Sequence, residues 1–207
     1  MIDEQKKERK IKALVIVAHP DDETIWMGGT IMRYKNWDWT IFSLCRVNDK
    51  DREPKFRKVC KHLKAKSIMT DLDDEKLHDI NPNEIIGIIK KNLSETEYDY
   101  VFTHGKNGEY GHKRHIEIYK AVKKMIKNKL IKTRNLYYFS YMPGKIPSIH
   151  DKNLKIPVPS NKANVFIKLS NEEFNKKVKI VTDLYGFKHP IFETMSCNKI
   201  EGFLRAK

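Results

Sequence analysis

At 207 residues, 40% of them hydrophobic and 10% aromatic, the chain is long enough for one well-cored domain and short for two. No run approaches the ~18 consecutive apolar residues of a membrane-spanning helix, and the charged opening MIDEQKKERKIK lacks the apolar core of a signal peptide. The net charge of +14 suits a polyanionic partner, but only 8 of the 41 basic residues are arginine. A solvated lysine surface is therefore the simpler reading, and no specific nucleic-acid partner is expected.

Residues 1–10 are polar and expected to fray. KALVIVA (12–18) is an unbroken apolar run of strand length, suited to a strand buried on both faces. TIWMGGTIMRYKN (24–36) reads as a helix and TIFSLC (40–45) as a strand. REPKFRKVCKHLKA (52–65) is helical, with Phe56, Val59, Cys60 and Leu63 at helical spacing, and SIMT (67–70) is a short strand. PNEIIGIIKKNLSE (82–95) is an amphipathic helix opened by Asn81 and Pro82. YDYVFTH (98–104) is a strand, HKRHIEIYKAVKKMIKNKL (112–130) a long helix, LYYFSY (136–141) and VFIKLS (165–170) strands, and NEEFNKKVKIVTDLYG (171–186) a last helix. Residues 142–164 hold four of the eight prolines and are expected to form a long irregular loop, a candidate lid.

Alternating strands and helices predict an α/β fold, a mostly parallel sheet with helices on both faces, in a single domain over residues 1–207. Such sheets place their sites at the carboxyl ends of strands. Two strands end in polar clusters: the first in AHPDDE, the fourth in THGKNGEYGHKRH. His19 and Asp22 are three apart on the turn after a buried strand. His112 and His115 are three apart at the start of a helix, projecting from one face. Imidazole with carboxylate suits zinc, iron or manganese better than magnesium. Three protein ligands and a water make an open catalytic site, which His19, Asp22 and one of the two downstream histidines would supply. Asp21 could take a proton from that water. Glu23 either bonds behind a ligand histidine or caps the helix, and His104 is expected to line the pocket. Trp26 is expected to pack in the core rather than stack on a ligand, and Gly28 and Gly29 to let the first helix approach a strand or substrate closely. No GxGxxG or GxxxxGK[ST] motif is present. Cys45, Cys60 and Cys197 are few, odd in number and widely spaced, which fits a reducing cytoplasm.

The two clusters, AHPDDETIWMGGTI and THGKNGEYGHKRHIEIYKAV, resemble the PIG-L/LmbE family of metal-dependent N-deacetylases over residues 11 to about 130. The resemblance implies a Rossmann-like sheet, a divalent metal, usually zinc, and removal of acetyl groups from N-acetylglucosamine units of small molecules or glycoconjugates. It makes His19, Asp22 and His115 the metal ligands, Asp21 the general base, and His112 the group facing the oxyanion and leaving amine. Tyr110 would lie beside the reacting carbonyl, while Arg57 and Asp74 would hold sugar hydroxyls. Members of such families often form homo-oligomers. The chain departs from the family at GHKRH, where Arg114 replaces an Asp that holds the neighbouring histidine charged. Either Glu109 or Glu117 takes over that task, or Arg114 points away, or the activity is specialised. It departs again at YGFK (185–188), where many members have Tyr-x-Ser-Gln. The alternatives are an amidase on a larger conjugate, and a catalytically weak metal-binding or polyanion-binding protein on the same fold.

Overall fold

The computed structural model describes residues 9–206, so the expectation of a frayed terminus falls almost wholly outside the described residues. Nine strands and seven helices follow in order: β1 (Lys12–Val17), α1 (Asp22–Arg33), β2 (Asp38–Ser43), α2 (Arg52–His62), β3 (Lys66–Met69), α3 (Pro82–Asn92), β4 (Glu97–Thr103), α4 (Gly108–Gly111), α5 (Lys113–Lys127), β5 (Lys132–Phe139), β6 (Tyr141–Pro147), β7 (Lys155–Pro159), β8 (Val165–Lys168), α6 (Asn171–Lys179), α7 (Phe192–Met195) and β9 (Ile200–Arg205). A π-helical turn, Ile180–Leu184, continues α6.

Seven strands make one sheet in the order β3-β2-β1-β4-β5-β9-β8. The first five are parallel, and β9 and β8 join antiparallel. The unbroken run in β1 has a direct explanation. Ala13, Val15 and Val17 join a core that includes Ile25 and Ile31 of α1, Phe56 and Val59 of α2, and Ile180. Leu14 and Ile16 point the other way, into a core with Ile85 and Ile89 of α3 and Ile118 and Val122 of α5. A strand with a helical layer on each side cannot alternate apolar and polar residues. The chain winds from β1 out to β3, then returns to place β4 on the other side of β1. The carboxyl ends of β1 and β4 therefore flank the reversal point, where open α/β sheets leave a crevice.

Residues 142–164 are not the irregular loop expected from their prolines. They fold largely as an antiparallel hairpin of β6 and β7, with Tyr141 opposite Pro159 and Pro143 opposite Pro157. Both strands are edges, so a proline without an N–H is tolerated there.

Helix α1 is kinked at Met27, whose φ of −148° and ψ of 17° are not helical. The carboxylate of Glu201 on β9 accepts hydrogen bonds from Gly29 N (2.9 Å), Thr30 N (2.8 Å) and Thr30 Oγ1 (2.6 Å), and the buried Lys177 ammonium sits 2.8 Å from it. Gly29 allows the approach of a neighbour: a Cβ there would fall 2.3 Å from Cδ2 of buried Leu169. Gly29 thus serves packing against the segment after β8, whereas Gly28 faces Thr24 of its own helix and Lys177 of α6. Among the described residues no helix is long and apolar enough to cross a membrane.

Candidate metal centre and its cleft

Buried β1 delivers its next residues to the crevice. Asp21 takes a φ of 120° and ψ of −32° as the turn closes into α1. His19 N–H donates to Asp22 Oδ2 at 2.9 Å, and the indole N–H of Trp26, one helical turn on, donates to Asp22 Oδ1 at 2.8 Å. Trp26 is fully buried as expected of a core residue, but its polar edge fixes a site carboxylate, which the sequence reading did not anticipate.

The second cluster arrives from β4. His115, in the first turn of α5, brings Nε2 to 3.2 Å from His19 Nδ1 and 3.4 Å from Asp22 Oδ2; His19 Nδ1 lies 3.3 Å from the same oxygen. Two ligands on a tetrahedral zinc, each ~2.0–2.1 Å from it, lie ~3.3 Å apart. The three atoms thus form a triangle of the size that metal requires, and the donor set of two imidazoles and one carboxylate suits it chemically. His112, at the cap of α5, stands edge-on to His19 at 4.8 Å between ring centroids, and its buried Nδ1 has no partner among the described residues.

His104 does not line the pocket. It is fully buried behind the ligand group, its Nε2 accepting the Ala18 N–H at 2.9 Å and its ring stacked on His115 at 3.8 Å. Glu109 Oε2 bonds Nδ1 of both His104 (2.8 Å) and His115 (2.6 Å). Asp74 lies 2.9 Å from His19 Nε2 and 2.8 Å from an Arg46 guanidinium nitrogen, so its carboxylate is engaged beside His19. Glu23 neither caps α1 through its side chain nor touches a ligand histidine. It accepts from Asp21 N (3.1 Å), Thr24 Oγ1 (2.6 Å) and the Tyr185 hydroxyl (2.8 Å), so the departing segment YGFK reaches the motif through Tyr185.

A cleft of about 330 Å³ opens over Asp21, Asp22 and His19, walled by Trp26, Tyr110, Arg46, Arg52, Asp49 and the α7 residues Phe192 and Glu193. Tyr110 stands edge-on to His112 and Phe192. Arg57 is not brought to the cleft: it is exposed and pairs with Glu53 on its own helix. Arg52, five residues earlier on α2, occupies that wall instead, 3.1 Å from Asp21 Oδ2 and over the Phe187 ring. At ~100° per residue the two arginines point about 140° apart, a difference the core stripe of Phe56, Val59 and Cys60 could have revealed. Arg114 points away. It is buried and bonds the Asp73 carbonyl and carboxylate, the His78 carbonyl and Glu117, pinning the loop that carries Asp74. Glu109 and Glu117 are thus both occupied elsewhere, and neither holds His112.

The charges follow from this packing. Burial raises Asp22, but the His115, His104 and His19 imidazoles outweigh it and hold the carboxyl well below its ordinary range. Burial and the Asp22 charge push Asp21 well above it, against the opposing pull of Arg52. His19 is lowered by burial but raised further by Asp22 and Asp74, to about 9. Burial and the neighbouring His115 and His19 push His112 down to about 3, so it stands neutral. The two adjacent carboxyls are thus driven in opposite directions by their surroundings.

Residues 14–126 match the family described as PIG-L, GlcNAc-PI de-N-acetylase. The chain is 27% identical over 149 residues to uncharacterized protein L374 of Acanthamoeba polyphaga mimivirus, covering 64% of this chain and 63% of the viral protein. Two solved structures share the fold at low identity. One is GalB, the 4-carboxy-2-hydroxymuconate hydratase of Pseudomonas putida KT2440 (TM-score 0.64, 12% identity, 95% of this chain and 96% of that one). The other is the N,N'-diacetylchitobiose deacetylase of Pyrococcus horikoshii (TM-score 0.62, 15% identity, 94% and 83%). Since one is a hydratase and the other a deacetylase, the fold does not by itself select the reaction. The family match spans both halves of the ligand group, and the chain belongs to the PIG-L family.

Proposed function

We propose that the protein is a metal-dependent hydrolase that removes the acetyl group from an N-acetylated amino sugar, of the N-acetylglucosamine type, carried on a small molecule or glycoconjugate. The observation that supports this most directly is the His19, Asp22 and His115 triangle beside a buried, raised Asp21 on the floor of a cleft. His19, Asp22 and His115 would hold the metal, zinc or another divalent ion such as iron or manganese. That ion would polarise the acetamide carbonyl and acidify a water. Asp21 takes the proton of the attacking water. Its raised pKa also lets it return that proton to the leaving amine. His112, neutral and edge-on to His19, donates to the developing oxyanion, and Tyr110 and Trp26 exclude water from the reacting carbonyl. Asp49, Arg52 and Glu193 on the wall offer donors and acceptors for sugar hydroxyls. The three free, buried cysteines suit a cytoplasmic protein.

The test is amine release from a panel of N-acetylglucosamine derivatives, with zinc and with chelator. Chelator-sensitive release is expected. No release from any compound, with metal bound, would overturn the sugar assignment in favour of a larger amide.

A further inference from the structure

Glu109 is fully buried and is absent from the wall of the cleft. Its backbone has a φ of 60° and ψ of −54°, in the rarely populated γ-turn region, directly after Gly108 at φ 62°. Such a conformation persists only where the surroundings impose it, and here it turns the side chain inward. Three donors converge on the carboxylate: Gly105 N on Oε1 at 2.7 Å, and His104 Nδ1 and His115 Nδ1 both on Oε2. The tautomer of His104 is fixed independently. The Ala18 N–H can only donate, so the His104 Nε2 that receives it bears no proton, and the proton sits on Nδ1, facing Glu109. His115 lies parallel to that ring, 18° from coplanar, and addresses the same oxygen.

We propose that Glu109 is the positioning residue of the metal centre, a single carboxylate oxygen that keeps the proton of His115 on Nδ1 so that Nε2 is bare toward His19 and Asp22. His104 is the brace: it shares the oxygen, stacks on the ligand ring and ties both to the end of β1 through Ala18. This inference rests on the metal-dependent reading of the site and assigns a role to a residue that touches neither metal nor substrate.

Zinc affinity, read by competition with a chromophoric chelator, tests it. Glu109→Gln, nearly isosteric, is expected to weaken zinc binding about 10–100-fold. Glu117→Gln, a buried carboxyl on α5 that bonds no imidazole, is expected to leave it unchanged. Equal affinity in Glu109→Gln and the wild type would overturn the role of Glu109 and leave the metal reading standing. Failure of the wild type to bind zinc or any other divalent ion would overturn the metal reading itself. Should Glu109→Gln fold poorly, imidazole nitrogen spectra of the wild type decide the matter. His104 in the metal-free protein, and both His104 and His115 in the zinc-loaded one, should carry their proton on Nδ1. A proton on Nε2 of neutral His104, or zinc on Nδ1 of His115, would sink the proposal.

Discussion

Asp21 occupies a backbone conformation that costs a residue other than glycine ~1–3 kcal/mol, and it buries its carboxylate against one guanidinium. Replacing it with asparagine should lower kcat ~10²–10⁴-fold while zinc still binds, since the three ligands are untouched; retained turnover would remove Asp21 as the base. Arg52 pulls the pKa of Asp21 down, so Arg52→Gln should let it rise. The base works only when ionised, and the acid limb of kcat/KM should therefore move to higher pH. An unmoved limb would separate Arg52 from the base. Arg114→Asp restores the residue usual in the family, but the structure predicts harm rather than repair. It leaves Glu117 and Asp73 without their cation, and breaking such a buried pair costs ~3–5 kcal/mol, measurable by urea unfolding. That His19, Asp22, His112 and His115 would meet was legible because each pair is local: His19 and Asp22 share one turn, and His112 and His115 open one helix. The work of Glu109 and Asp74 was not legible, because each depends on a partner brought in from another element; Trp26 reaches Asp22 within its own helix, but its apolar bulk pointed only to the core.

At the scale of elements, the kink in α1 is the structural choice with the widest effect. It frees two mid-helix N–H groups that Glu201 accepts, and among the described residues the charge of Glu201 is matched only by Lys177. Lys177→Met should therefore destabilise the fold by ~3–5 kcal/mol, visible as a lower urea midpoint. Helix α6 opens with a capping box: Ser170 accepts from Glu173 N, and the Glu173 carboxylate accepts from Ser170 N and pairs with Arg33. Glu173 is held down to about 2, chiefly by Arg33. Its ordinary value is ~4.3. A depressed carboxyl stabilises fully above the unfolded value and loses that contribution as pH falls toward the folded one. The stability gap between wild type and Glu173→Gln should thus close between about pH 4.3 and 2. The pair is partly exposed, so the gap is expected to be ~1 kcal/mol or less. The hairpin β6–β7 escaped the sequence reading because prolines mark loops in most settings. Strand β9 escaped because six residues interrupted by Gly202 show no clear period.

For the whole molecule, the parallel half of the sheet was readable from the alternation of strand and helix, and the position of the site followed from it. The antiparallel half was not, since nothing local says that β9 lies between β5 and β8. A metal that binds only the folded chain stabilises it by ~2.7 kcal/mol at a hundred times its Kd. For a chain of this size that corresponds to ~5–10 °C in Tm. Calorimetry with zinc and with chelator should show such a gap, and coincident transitions would argue against a metal site coupled to the fold.

The placement of β9 also bears on how the protein is made. Residues 200–205 pair with β5 and β8, and Glu201 satisfies the helix that begins at Asp22, some 180 positions earlier. The nascent chain can assemble β1 to β5 on the ribosome, but α1 keeps open backbone donors and β5 an open edge until residues 200–205 emerge. Completion is thus a long-range, late event, slow by its loop-closure entropy, and in that interval the β5 edge is exposed to pairing with other chains.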